Sequence, residues 1–173
     1  MKRFLIVTFF AVAIVMVGIL FFKGADAQNL QADRGTEAAD FTLRTSGGEE
    51  VTLSDLRGKV VILDFWATWC PYCVKGIPSL QRMYAAYQEK GLVVLGINIR
   101  ESIPKVTSFV NAHAITYPML LDSDGAVAEA YNVRGIPNYL ILDGDGVIQY
   151  RGFALPDNTE EIISTLLEGA AAS

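Results

Sequence analysis

Apolar and polar positions divide the chain into three regimes. Residues 4–22 are apolar throughout except for Thr8 and Gly18, with Lys2 and Arg3 before the run and Lys23 after it. As a helix rising about 1.5 Å per residue, that run spans roughly 28 Å, close to the hydrocarbon thickness of a bilayer. Residues 24–39 are small and polar with no apolar period, and read as a linker. From Asp40 to the C-terminus, short apolar runs alternate with segments of helical spacing, as a single packed domain over 40–173 requires.

Within that domain, residues 40–43 and 51–53 flank a turn at Gly47-Gly48 and predict a short hairpin. Ser54 is a candidate cap for a brief turn ending at Gly58. Residues 60–65 are continuously apolar but for Asp64, which suits a buried strand; 92–97 suit another. Between them, Val74, Ile77, Leu80, Tyr84 and Tyr87 recur at helical spacing over 71–90, with Pro78 predicting a kink. A second helix is expected over 103–114, a short strand over 118–121 and a short helix over 126–131. Residues 138–142 and 147–150 flank Asp143-Gly144-Asp145-Gly146, a strong hairpin signal, and an amphipathic helix over 159–167 follows. Strands alternating with helices, then a hairpin and a helix, predict an α/β fold with a central mixed sheet flanked by helices.

The N-terminal run also bears on location. Its length favours a retained signal anchor, because a cleavable signal has an apolar core of only about 7–15 residues. Ala25-Asp26-Ala27 nevertheless has the small-x-small form of a cleavage site. Both readings keep Lys2 and Arg3 inside and export the rest to a periplasmic or other extracytoplasmic face. There the disulfide-permissive exterior matters for the chemistry.

Charge narrows the partners. The chain has 14 basic and 19 acidic residues, and three of the basic ones lie in the first 23 positions. The acidic remainder lacks the clustered Lys and Arg that nucleic acid demands. Two cysteines cannot build a disulfide scaffold; if they pair, they pair with each other.

Cys70-Pro71-Tyr72-Cys73 stands where the apolar strand hands over to the long helix. Residues three apart share a helix face, so the two sulfurs can meet in the first turn. Free backbone N–H groups and the positive end of the helix dipole favour a thiolate there, and Pro71 suits a first helical position. Cys70, at the tip, is expected to be exposed and nucleophilic. Cys73, one turn in, is expected to be more buried and to resolve the mixed disulfide. Asp64 among apolar neighbours should have a raised pKa, useful for proton transfer; a solvated strand-edge charge is the alternative. Half a zinc site would need two further ligands, and only His113 is another soft one, more simply read as solvated or helix-capping.

The segment Phe65-Trp66-Ala67-Thr68-Trp69-Cys70-Pro71-Tyr72-Cys73 resembles the thioredoxin active-site segment. Residues 53–61 resemble the membrane-anchored TlpA/ResA/CcmG branch, and Gly135-Ile136-Pro137 resembles the loop whose cis-proline faces the cysteines. The resemblance implies a thioredoxin-like fold and a thiol–disulfide oxidoreductase that needs no cofactor beyond a redox-active Cys70–Cys73 disulfide. It implies that Cys70 attacks, Cys73 resolves and Asp64 assists the proton transfers. Trp69, Pro71, Tyr72, Ile136 and Pro137 would meet the protein substrate. Many relatives act as reductases in cytochrome c maturation, fed by a membrane thiol donor of the DsbD/CcdA type.

Three departures stand out. Gly76 occupies the place of a ResA-type glutamate, Gly96 stands near the place of thioredoxin's lysine, and Pro71-Tyr72 is a dipeptide more familiar from glutaredoxins. Rival readings are a disulfide oxidase or isomerase, a peroxiredoxin and a copper chaperone of the Sco type. The peroxiredoxin pattern wants a proline and a Thr or Ser where Leu63 and Ala67 stand.

Overall fold

The computed structural model describes residues 34–171. The predicted membrane segment and most of the linker lie outside the described residues; among those described, no helix is long and apolar enough to cross a membrane.

The chain first forms a hairpin of β1 (Thr42–Arg44) and β2 (Glu50–Thr52). A 3-10 turn follows over Leu53–Leu56. Ser54 lies inside this turn rather than capping it, because Asp40 accepts from both its backbone N–H and its hydroxyl. Next come β3 (Val60–Trp66), α1 (Pro71–Tyr87), β4 (Leu92–Ile99), α2 (Ile103–Ala112) and β5 (Met119–Asp122). A short α3 (Ala126–Ala130), the hairpin of β6 (Asn138–Leu142) and β7 (Ile148–Gly152), and α4 (Thr159–Ala171) complete the order.

The main sheet has strand order β5-β4-β3-β6-β7. β3, β4 and β5 run parallel, while β6 and β7 are antiparallel additions. β3 is therefore central, and all seven of its residues are buried. Its side chains alternate between two apolar layers, as strand geometry dictates. Val60, Ile62 and Trp66 join α1, α2 and α4 on one face; Val61, Leu63 and Phe65 join α3 and the N-terminal segment on the other. Helix α1 buries Cys73, Ile77, Leu80 and Met83, spaced by three or four residues, and carries Pro78 on its exposed side. His113 caps α2, stacks on Phe109 and bonds through Nδ1 to the Phe109 carbonyl at 3.0 Å.

The packed unit starts before the expected boundary at Asp40. Gly35 N–H donates to the Ile148 carbonyl, Ile148 N–H to that of Thr36, and Ala38 N–H to that of Gly146. Backbone ladders of this kind need no apolar side-chain period, so the polar composition of 34–39 concealed them.

Candidate active site

Strand β3 ends at Trp66, and after three intervening residues the chain enters α1 with Cys70 as its N-cap. Cys70 and Cys73 form a disulfide with Cα atoms 5.3 Å apart. Cys70 Sγ also accepts the Cys73 N–H at 3.2 Å, so the sulfur fills a capping role that oxygen usually takes. Pro71 occupies the first turn, which carries no acidic side chain to oppose a thiolate.

One expectation needs correction. Cys70 is only 4% exposed, against 0% for Cys73. The bond to Cys73 and the hydrogen bond from its N–H draw the Cys70 sulfur in over the first helical turn. Its surroundings are nonetheless superficial: Trp69 is 66% and Tyr72 77% exposed, two of the four large apolar side chains standing out from the described surface.

The Ile136–Pro137 peptide bond is cis. Strand β6 begins at the next residue, where Asn138 pairs with Phe65, so the Ile136-Pro137 loop lies beside the C-terminal end of β3. Ile136 and Trp69 line one groove, Pro137 and Tyr72 another. The structure thus gathers Trp69, Cys70, Pro71, Tyr72, Cys73, Ile136 and Pro137 at one end of the sheet. Phe153, 47% exposed, lines the second groove and had no signal of its own in the sequence.

Asp64 is fully buried on the central strand, which rules out the strand-edge alternative. It sits between Ile62 and Trp66 in the alternation, so it faces the layer that contains Cys73. Neither carboxyl oxygen has a hydrogen-bond partner among the described residues. Burial raises its pKa from 3.8 to about 8, which keeps it protonated at neutral pH. Its cross-strand neighbours are Gly96 and Tyr139. Burial, reinforced by the Asp64 charge, also pushes the Tyr117 and Tyr139 phenols upward.

Gly76 finds a steric explanation here. A Cβ at that position would run into the Tyr139 hydroxyl, so the space a side chain would take belongs to the phenol. Gly96 is similarly constrained, since a Cβ there would collide with Met119 Sδ.

Sequence reasoning missed Glu101. Its buried carboxylate accepts from Thr68 N–H and Oγ1, both at 2.7 Å, from Asn98 Nδ2 at 2.9 Å and from Lys105 Nζ at 2.6 Å. It thereby ties the loop carrying Trp69 and Cys70 to the end of β4. Burial alone would raise its pKa, but the Lys105, Thr68 and Asn98 donors outweigh that and hold it at about 2. A depressed acid stabilises the fold above its unfolded value of 4.5, and that contribution drains away as pH falls toward 2. Glu101→Gln should therefore cost about 3 kcal/mol at pH 7 and close to nothing near pH 2. Denaturant unfolding of both proteins across that range checks it; a pH-independent gap would remove the charge from the explanation.

A family model described as "AhpC/TSA family" matches residues 34–151. The chain belongs to that family. Within it, this thioredoxin-like enzyme is a thiol–disulfide oxidoreductase of ResA/DsbE type. It is 32% identical to the thiol-disulfide oxidoreductase ResA of Halalkalibacterium halodurans, over 85% of this chain and 84% of that one. It is 31% identical to the Bacillus subtilis protein of the same name, over 79% and 76%. Among solved structures, a thiol:disulfide interchange protein of the thioredoxin family from Chlorobium tepidum superposes with a TM-score of 0.70 at 26% identity, over 78% of this chain and 97% of that one. The expected fold, a mixed central sheet flanked by helices, agrees with these neighbours. Among the described residues of this oxidoreductase, no group of three or more His, Cys, Asp or Glu is positioned to hold a metal ion.

Proposed function

We propose that the chain is an exported reductase of protein disulfides, held at the extracytoplasmic face by residues 4–22 and joined to its catalytic domain through a linker. Cys70 attacks the substrate disulfide and one substrate sulfur leaves. Cys73 passes its proton to the ionised form of Asp64, whose share grows as pH rises toward 8, then attacks Cys70 and releases the second substrate sulfur. Trp69, Pro71, Tyr72, Ile136 and Pro137 form the surface that receives the substrate chain. The oxidised pair is re-reduced by a membrane thiol donor of the DsbD/CcdA type, and c-type cytochrome precursors are the favoured substrates.

The observation that carries this reading is the Cys70–Cys73 pair at the start of α1, with a buried Asp64, its pKa raised to about 8, facing the same layer. A helix start without acidic side chains favours the Cys70 thiolate, and hence leaving-group and nucleophile behaviour at neutral pH. The apolar run of residues 4–22 supports export, and the relatives' names support the chemistry.

Equilibration against a glutathione or dithiothreitol series tests the direction. A potential near thioredoxin's, about −270 mV, fits a reductase; one near −120 mV would make the protein an oxidase instead.

A further inference from the structure

Three non-glycine residues among those described have a left-handed backbone, and two of them, Arg100 and Asn132, line the groove beside Trp69 and Ile136. Arginine gains nothing intrinsic from that conformation, so its φ of +54° at the end of β4 needs a reason. The reason lies in where the side chain goes. Arg100 N–H donates to the Asp122 carbonyl, and its Nε reaches the Asp124 carbonyl at 3.4 Å. The guanidinium then lies over Gly125, where any Cβ would collide with it. Gly125 thus forms a floor that only glycine can provide, and the pair fixes a cation at the groove wall.

Arg134 supplies a second cation, two residues before Ile136. The ion pairs among the described residues are Arg44–Glu50, Arg57–Glu37 and Lys105–Glu101; neither groove arginine belongs to them. Glu129 is the one carboxylate lining the groove, so the balance there is positive on a chain whose net charge is −5. The groove has a volume of about 580 Å³, room for a few side chains of an extended peptide. One wall is Trp69, adjacent in sequence to Cys70.

The geometry points to a specificity subsite: Arg100 and Arg134 select substrate segments that carry Asp or Glu beside the reacting cysteine. This rests on the thiol-exchange reading above and adds the substrate class. Apolar contact with Trp69 and Ile136 positions the segment, and the two guanidiniums discriminate by charge, offsetting the repulsion that an acidic partner meets from the rest of the surface.

The test uses three redox-inert peptides with serine in place of cysteine, differing only in two flanking residues: Glu, Gln or Lys. Binding to the oxidised protein is followed by titration calorimetry, and kcat/KM is measured on the cysteine-disulfide versions. The glutamyl peptide should bind about five- to tenfold tighter than the glutaminyl one at low salt, with the advantage shrinking at about 0.5 M salt. Arg134→Gln should cut that ratio to about threefold, and Arg100→Gln with Arg134→Gln should abolish it. Because Arg100 has a constrained backbone, Arg134→Glu gives an independent check: it should reverse the preference toward the lysyl peptide. Equal binding of all three peptides, or a preference that survives the double variant, overturns the subsite. Selective binding with no turnover of any disulfide peptide would instead sink the exchange reading and leave the subsite standing.

Discussion

Cys73→Ala should accumulate a covalent adduct with substrate, whereas Cys70→Ala should form none. The first sulfur caps α1 between Trp69 and Tyr72 in sequence, which line the two grooves; the second is wholly buried one turn inside. Of the two, only Cys70 keeps any exposed surface, 4% against 0%, with which to meet a disulfide brought in from outside. Without Cys73, the mixed disulfide on Cys70 has no nearby thiolate to break it, because the chain contains no other cysteine. Both variants should lose turnover by about three orders of magnitude or more. They differ in what remains: non-reducing electrophoresis and intact mass should find the Cys73→Ala protein joined to its substrate and the Cys70→Ala protein free. An adduct on Cys73 instead would reverse the assigned order of attack.

Asp64→Asn should change both stability and rate, in opposite directions. Asp64 ionises near 3.8 when unfolded and at about 8 when folded. Between those values the unfolded chain releases a proton that the folded chain retains, so stability falls as pH rises through the window. Below it both states are protonated, and above it both are ionised. The accumulated loss is on the order of 5 kcal/mol, a large fraction of a small domain's total. Asparagine cannot ionise, so the variant should match the parent near pH 4 and exceed it by several kcal/mol at pH 8 to 9. Urea unfolding of the oxidised proteins at the two pH values reads this directly. The same variant should slow resolution about 10²-fold and erase the inflection near pH 8 in its rate profile, since no group is then left to take the Cys73 proton. Parallel stability curves for the two proteins would mean that the carboxyl is already charged at neutral pH.

These three residues were legible in the sequence for different reasons. The cysteines announce themselves through spacing and through the change from strand to helix periodicity. Asp64 stands out as the one charge in a run of Val, Ile, Leu and Phe. The hairpins were equally plain, because glycine and aspartate mark their turns. Glu101 and Arg100 were not: what matters about them is a contact with Thr68 or Gly125, 33 and 25 positions away in one direction or the other, and such pairings have no local pattern. Tyr139 reads as one more apolar strand residue until its hydroxyl is seen above Gly76. The burial of Cys70 was misjudged because helix-end geometry places the backbone but does not say which way the sulfur turns.

A five-stranded sheet presents two open margins, here β5 and β7, each a template on which a foreign extended chain can register. The hairpin's Thr45-Ser46 corner bonds to β5 at Met119 and Leu120, and residues 35–38 lie along the start of β7. Both margins are thereby guarded against a foreign chain being stitched onto the sheet, and trimming the protein to residue 40 would unpick the guard on the β7 side.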